Sequence, residues 1–353
     1  MRAKEAQSAL AGLLKEVHPD TFTEEFNHLD IVSQFKYDEY NRFAPGRLFV
    51  DNLIRWLAAI PESERKEAYE FVLKRLVFFS RADIFHFTKM AFRHVVRPQL
   101  VRWEAALAHK SAIHRSHYNA SAAMKAVNRS CLVLGLSDGA HIDDFRRGNL
   151  SNEQVFANYQ LPTVKIDDML TELRKETGNP ETKFRYVVLV DDFSASGSSC
   201  IKQRKDGTWG GKLGQFFEGL NVIEHALQPG WRLVVLHYVA TKRALEHIKT
   251  QLKAYTAANR TTLEFEVMVV QELDGLALDP KNPSEPYRAF IEGYNVKGTW
   301  DKHLEKGGGK DGDQRWGYSA CALPVIMHHN TPTIASAPCG PTTKPNSRGF
   351  SLA

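Results

Sequence analysis

The chain has 353 residues, 43% of them hydrophobic, so it is long enough for about two domains with real cores and is neither disordered nor fibrous. Its 46 Lys and Arg against 41 Asp and Glu leave a net charge of +5, which is too dilute to indicate a nucleic-acid binder by itself but suits small phosphorylated ligands. The four scattered cysteines argue against a disulfide scaffold or a structural zinc site, and no run approaches the ~18 apolar residues of a membrane span, so we expect a soluble, cytoplasmic protein.

Up to about Ala122 the apolar residues recur at helical spacing, and strand-like alternation is almost absent. Pro61 followed by acidic residues marks one helix start, and Ser80-Arg-Ala-Asp83 resembles a capping box at another. We predict an all-helical N-terminal domain over residues 1–122.

Beyond residue 125, short apolar and β-branched runs alternate with turns and helical patterns, which indicates an α/β domain with a parallel sheet over residues 123–330. A late run, Ala320–Met327, is a candidate for one more strand. Residues 331–353 are rich in Pro, Thr and Ser, so we expect a poorly ordered tail. The predicted sheet strands are Ser130–Leu136, Tyr186–Val190, Arg232–Tyr238 and Leu263–Val270.

The most informative segment runs from Arg185 to Cys200. The apolar run Val187–Val190 is typical of a strand buried on both faces, and Asp191 and Asp192 follow it at the edge where parallel sheets bind ligands. The small residues of the next turn, Ser194–Ser199, allow backbone amides to surround a phosphate. Two carboxylates beside a phosphate require a divalent cation or the vicinal hydroxyls of a ribose, and a ribose 5-phosphate satisfies both halves of the motif.

This order of strand, acidic pair and small-residue loop resembles the 5-phosphoribosyl-1-pyrophosphate (PRPP) motif of type I phosphoribosyltransferases. The resemblance implies a Rossmann-like parallel-sheet core in which Asp191 and Asp192 contact the ribose hydroxyls directly or through Mg²⁺-bound water. The alternative is a buried strand that ends in a capped turn. The residues that the resemblance assigns to the 5′-phosphate are Ser194, Ala195, Ser196, Gly197, Ser198 and Ser199.

A second segment, Cys131–His141, again has a buried-type strand followed by a turn. In the family the first sheet strand ends in a pyrophosphate-binding loop, and the residues at that place here are Ser137, Asp138, Gly139 and Ala140. An ordinary strand-to-helix turn is the alternative, since Asp-Gly turns are common.

The chain also departs from the family pattern. Ala195 stands where the 6-oxopurine salvage members have an aspartate, which disfavours hypoxanthine and guanine as substrates. Residues 146–185 are the only room for the family's catalytic loop, and they are mostly helix or coil by pattern, so the usual lid is expected to be missing. The cationic, glycine-rich stretch Lys202–Gly214 is either a replacement lid over an anionic ligand or a solvated hairpin.

The nucleobase side is poorly specified. Gln271, Glu272 and Asp274 follow a predicted strand and either face the ligand crevice or are simply solvated. His328 begins a short segment ending in an Asn-Thr-Pro turn. As a whole, residues 30–335 resemble a divergent branch of phosphoribosyltransferase-like proteins found beside bacterial anti-phage and retron cassettes, which implies a role in a defence complex.

In the helical half, the stretch Phe92–His117 is strongly basic, and it is either a surface for nucleic acid or an acidic partner or a solvated helix face. His114 and His117 lack an evident third ligand, so we expect no metal there.

The leading expectation is an enzyme that acts at the ribose C1′ of PRPP or a nucleotide with Mg²⁺, either transferring phosphoribose or cleaving a glycosidic bond. The alternatives are a non-catalytic module that senses PRPP or a nucleotide and signals through its helical half, and a nucleic-acid-binding partner in a larger complex.

Overall fold

The computed structural model describes residues 3–15, 19–42, 48–109, 111–112, 122–147, 150–293 and 316–328. The described chain groups into two compact units, one formed by Met1–Asp83 with Gly275–Ala353 and the other by Ile84–Asp274. These limits differ from a boundary at residue 122, and the assignment of residues 1–122 and 123–330 as domains stays a prediction. The predicted tail, 331–353, lies outside the described residues.

The α-helices have the following bounds: α1 Ala3–Leu14, α2 Pro19–Phe35, α3 Phe49–Ala58, α4 Arg65–Arg75, α5 Arg81–Met90, α6 Arg97–Leu107, α7 Ala122–Arg129, α8 Ile142–Arg146, α9 Thr163–Thr177, α10 Gly211–Glu218, α11 Leu220–Ile223, α12 Lys242–Ala258 and α13 Arg288–Gly293. The strands are β1 Val77–Phe79, β2 Cys131–Gly135, β3 Val155–Phe156, β4 Phe184–Ser194, β5 Lys202–Gln203, β6 Trp209–Gly210, β7 Leu227–Thr241, β8 Glu264–Leu273 and β9 Val325–Met327. No described helix combines the length and the hydropathy that crossing a bilayer requires.

The first unit is mainly helical, and its core joins α1–α4 to residues from the C-terminal part of the chain, including Phe290 and Trp316. The predicted helix start at Ser80 is confirmed: the Asp83 amide donates to Ser80 Oγ at 3.1 Å, and the Ser80 amide donates to Asp83 Oδ2 at 2.9 Å. One prediction needs correction, because Val77–Phe79 is a strand within the region predicted as all-helical. It pairs in parallel with β9, so the late apolar run adds its strand here and not to the central sheet.

The second unit is built on a five-stranded, all-parallel sheet with the order β3-β2-β4-β7-β8. All four predicted sheet strands are present, and β3 adds a two-residue edge. One face of the sheet packs against α9, α10 and α12 in a single apolar core. On the other face, the Trp103 ring of α6 stacks on Tyr186 of β4 with ring centroids 5.7 Å apart. The α/β architecture predicted from the sequence is therefore confirmed.

The strand order determines where a ligand crevice forms. From β2 the chain goes outward to β3 at one edge, and then returns past β2 to β4, β7 and β8 on the other side. The two crossovers beside β2 therefore leave in opposite directions, and the carboxyl ends of β2 and β4 form a topological switch point. Ligands of open parallel sheets bind at such a point.

Candidate ligand site at the switch point

The acidic pair lies near the end of the central strand β4. The predicted buried run is confirmed, because the residues from Val187 to Val190 are fully buried, and the strand continues through Asp191 and Asp192 to Ser194. Adjacent residues of a strand point to opposite faces of the sheet. The two carboxylates therefore meet different neighbours, although they are adjacent in sequence.

Asp191 is buried, at 2% exposed, and both of its carboxylate oxygens are engaged. Ser137 Oγ donates to Oδ1 at 2.5 Å, and the Lys212 ammonium donates to Oδ2 at 2.5 Å. Burial lowers the pKa of Lys212, but the charge and the hydrogen bond of Asp191 outweigh burial and leave that pKa above its ordinary value. Lys212 therefore stays protonated at neutral pH, and its ammonium forms an ion pair with the Asp191 carboxylate.

Asp192 lies against the loop that follows β2. A β-carbon built on Gly139 would stand 2.3 Å from Asp192 Oδ2, so only a glycine lets the carboxylate approach the loop this closely. Burial, followed by the charge of Asp191, raises the pKa of the Asp192 carboxyl to about 6. This group changes its charge close to physiological pH, as groups at functional sites often do.

The predicted pyrophosphate loop is thus directly beside the acidic pair. Ser137 contacts Asp191, and Gly139 lies under Asp192. The loop is fixed from β7, since the buried Tyr238 hydroxyl donates to the Ala140 carbonyl at 2.6 Å. Asp138 is exposed at the tip.

The predicted phosphate loop, Ser194–Ser199, continues from the end of β4. Thr241 at the end of β7 donates its hydroxyl to the Ala195 carbonyl at 2.6 Å and caps α12 by accepting from the Ala244 amide. The amides of Ser196, Gly197 and Ser199 donate to no acceptor among the described residues, so they are available for an anion. Ala195 is itself 4% exposed, a buried position that is unsuited to the acid of the purine salvage members.

The structure requires a glycine at position 197 for packing against α12, and not for leaving room for a phosphate. Its φ is +76°, and a β-carbon there would lie 2.8 Å from the Ala244 carbonyl oxygen and 2.9 Å from His247 Cδ2. A side chain at this position would strike α12 instead of filling the cradle. The glycine allows the loop to pack closely on that helix.

The stretch after the loop forms a small antiparallel hairpin, in which β5 pairs with β6. Residues 202–208 are exposed, whereas Trp209 packs edge-on against Tyr255 of α12. The base of the hairpin is closed, because the Lys212 amide donates to the Ser199 carbonyl at 3.1 Å and the Leu213 amide to the Cys200 carbonyl at 2.9 Å. The hairpin therefore separates the phosphate loop from α10 in sequence while the two stay joined in space.

Other predicted residues lie apart from this site. Gln271 and Glu272 are exposed on β8, two strands away from β4, and Asp274 is exposed just after that strand. Of the Asn-Thr-Pro segment only His328 is described, and His114 and His117 lie outside the described residues. Among the residues described between Arg146 and Arg185, β3 is a two-residue strand and α9 is a helix, so that part of the chain has no pair of long strands for the family's catalytic loop.

Three site residues were missed by sequence reasoning. Lys212 was grouped with the hairpin, because its distance of 21 residues from Asp191 hides their contact. Tyr238 gives no local signal. His237 interrupts the apolar run of β7, and this polar residue in a buried strand was the available signal. It is fully buried beside Asp191 in the strand register, neither ring nitrogen has a hydrogen-bond partner among the described residues, and burial lowers its pKa to about 4.

Asp191 and Asp192 offer the carboxylate oxygens that Mg²⁺ prefers as ligands. No group of three or more His, Cys, Asp or Glu side chains among the described residues is arranged to hold a metal. A Mg²⁺ ion at Asp191 would have to displace the Lys212 ammonium, whereas the Asp192 carboxylate lies beside the Ser137–Ala140 loop, where a diphosphate is predicted to bind. Asp192 is therefore the carboxylate that fits an ion arriving with an anionic ligand.

Comparison with known proteins agrees with this geometry. A sequence model of the PRTase-CE family, which is phosphoribosyltransferase-like, matches residues 53–336. No curated protein and no solved structure matches the chain. The family match covers both predicted ligand loops and the whole parallel sheet. The chain belongs to the phosphoribosyltransferase-like family PRTase-CE.

Proposed function

We propose that the chain binds the ribose 5-phosphate part of PRPP or a nucleotide at the switch point and acts at the ribose C1′. The observation that carries the proposal is convergence: the acidic pair, the Ser137–Ala140 loop and the Ser194–Ser199 loop meet at the carboxyl ends of two adjacent strands. Free amides at one end suit the 5′-phosphate, and the carboxylates suit the ribose hydroxyls. Ser137–Ala140 would then hold the diphosphate.

In the proposed reaction the bond from C1′ to the leaving diphosphate or base breaks, and a bond to an acceptor nitrogen or a water oxygen forms. The transition state carries positive charge on the ribose, so the protein acts by positioning the reactants and placing negative charge near the sugar. Asp192 supplies that charge, and Asp191, whose charge is balanced by Lys212, contributes as a hydrogen-bond acceptor for the ribose hydroxyls. Mg²⁺ belongs to the proposal as a companion of the diphosphate, which it would neutralise, with Asp192 as its protein contact.

The alternative function is a sensor that binds PRPP or a nucleotide without turnover and signals through its helical part. Two observations favour it: Asp191 is fully engaged by its own chain, and the described part of residues 146–185 offers no pair of long strands for a catalytic loop. For both functions we propose a cytoplasmic location, which the buried free thiols of Cys131 and Cys200 support. We also propose a role in an anti-phage complex with a protein or nucleic-acid partner, which rests on the resemblance alone.

The deciding experiment incubates the purified chain with PRPP and a nucleotide panel in Mg²⁺ and follows products by mass spectrometry and binding by calorimetry. Turnover supports the enzyme, and saturable binding without turnover supports the sensor. The variant Asp191→Asn with Asp192→Asn is expected to lose both. The matched control, Asp167→Asn with Asp168→Asn, changes two adjacent aspartates that are exposed on α9. Wild-type affinity in the first variant would overturn the site.

A further inference from the structure

The Lys212 ammonium is a counter-ion for Asp191 that the chain itself supplies. The ammonium lies 2.5 Å from Asp191 Oδ2, and Ser137 holds the other oxygen at the same distance. The Asp191 side chain is 3% exposed and the Lys212 side chain 29% exposed, so this ion pair is shielded from water. A charge-assisted hydrogen bond of this kind is stronger than an exposed ion pair, which solvent screens.

The backbone is shaped to deliver this ammonium. Gly211 has φ +84°, and a β-carbon there would lie 2.6 Å from the Cys200 carbonyl oxygen, so the chain returns from the hairpin directly onto the phosphate loop. The Lys212 amide then bonds the Ser199 carbonyl. These two constraints place Lys212 in the first turn of α10, a position from which its side chain reaches back to β4.

The other groups that the structure describes around Asp191 offer no competing positive charge. His237, its register partner on β7, is held neutral above about pH 4 by burial. Cys200 is buried, and burial raises the pKa of its thiol, so it stays uncharged as well. With Asp192 on the opposite face of the sheet, Lys212 is the cation that the described chain places at Asp191.

We propose that the Lys212 ammonium takes the place of a divalent cation at Asp191, so that the site accepts a ribose 5-phosphate group without Mg²⁺. Without this ammonium the two adjacent carboxylates would repel a phosphate. With it, one negative charge is cancelled before the ligand arrives, and only the diphosphate of a larger ligand needs an added metal. The binding of ribose 5-phosphate rests on the proposed function, whereas the replacement of a divalent cation by the Lys212 ammonium does not.

The first test measures Mn²⁺ binding to the ligand-free protein by electron paramagnetic resonance. Lys212→Met and Lys212→Gln are expected to bind Mn²⁺ at least about tenfold more tightly than wild type, since removing the ammonium leaves the buried Asp191 carboxylate without its counter-ion. Lys212→Arg should behave as wild type. Lys175→Met is the matched control, because Lys175 pairs with Glu172 on the exposed surface of α9. Adding Asp191→Asn to Lys212→Met should abolish the gain, and an unchanged Mn²⁺ affinity in both folded Lys212 variants would overturn the proposal.

The second test uses only wild-type protein and ribose 5-phosphate as the probe. Calorimetric affinity in EDTA is expected to equal that in Mg²⁺ within about twofold, and a dependence on Mg²⁺ of tenfold or more would overturn the proposal. Absence of ribose 5-phosphate binding in both buffers would contradict the proposed function instead. In that case the Mn²⁺ titration still decides whether Lys212 occupies the cation position.

Discussion

The carboxylate of Asp192 lies directly over Gly139, so close that a β-carbon on the glycine would stand 2.3 Å from Oδ2 and 2.7 Å from Cγ. Gly139 lies in the loop after β2 and Asp192 on the neighbouring strand β4, 53 positions further along the chain. Their contact brings the predicted pyrophosphate loop against the acidic pair. A substitution of Gly139 would therefore displace the Asp192 carboxylate while leaving the aspartate itself unchanged.

Gly139→Ala is expected to weaken binding of ribose 5-phosphate by roughly tenfold or more while stability changes by less than about 1 kcal/mol. The reason is that the obstructed atoms belong to the end of a side chain, which rotates away instead of disturbing the fold. Calorimetry and urea unfolding measure the two effects. Gly12→Ala, at an exposed helical glycine with open space around it, is the control. Unchanged affinity would show that the position of Asp192 is unimportant for binding.

Gly197→Ala is expected to destabilise the protein by about 2 kcal/mol more than Gly230→Ala. Both glycines have nearly the same left-handed backbone, with φ of +76° and +75°, but only at Gly197 does the new β-carbon meet α12. The comparison therefore separates the collision from the cost of the backbone conformation. Urea unfolding gives the difference, and equal losses would mean that the loop does not pack against α12 as described.

His237→Leu is expected to make the protein less sensitive to acid. The neutral form is favoured in the folded state, with a pKa of about 4 against an ordinary 6.5, so the unfolded chain binds more protons between these values and stability falls as pH decreases from 6.5. The variant lacks this loss, which amounts to about 2 kcal/mol at pH 5.

The Asp192 carboxyl acts in the opposite direction over nearly the same range. Its pKa is raised, so its contribution to stability is present at low pH and is lost as pH rises toward about 6. Because Asp192 is present in both proteins, the difference between wild type and His237→Leu isolates the histidine. Unfolding midpoints at pH 5 and 7 measure it, with the exposed His86→Leu as control. Parallel pH profiles for wild type and His237→Leu would contradict the burial of a neutral imidazole.

Hydrogen exchange tests whether the stretch Lys202–Gly214 acts as a lid. We expect the amides of Lys212 and Leu213 to be protected in the free protein, since both are bonded, and those of Lys205 and Asp206 at the exposed tip of the hairpin to exchange quickly. Ligand should then protect the exposed tip. Exchange that is already slow there, or unchanged at saturation, would show that the hairpin is not a lid.

Local patterns predicted those parts of the structure that local physics determines. The run Val187–Val190 has no polar residue, and a strand in the middle of a parallel sheet is its natural form. The same pattern predicts that Asp191 lies near the end of this strand and that the small residues after it form a loop. The strand β1 was missed because Val77–Phe79 is three residues long and continues the apolar spacing of the preceding helix, so periodicity alone cannot separate the two.

Contacts between distant parts of the chain were beyond the reach of such patterns. The bond of Lys212 to Asp191 depends on the path of the hairpin, and the bond of Tyr238 to Ala140 depends on the order of strands in the sheet. Nothing in the residues near Lys212 distinguishes it from the other lysines of the same stretch. Its role becomes visible only when the sheet is assembled.

Because the base of the hairpin is closed, the length of the hairpin can change without disturbing the fold around it. Because Ser199 and Cys200 are bonded to Lys212 and Leu213, the intervening residues leave and re-enter the fold at nearly the same place. Lengthening such a loop costs only a fraction of a kilocalorie per added residue, since closure entropy grows slowly with length. This segment can therefore be replaced by a longer arm while the ammonium stays at its carboxylate. The hairpin is the natural place to attach a fluorescent reporter or a new binding specificity.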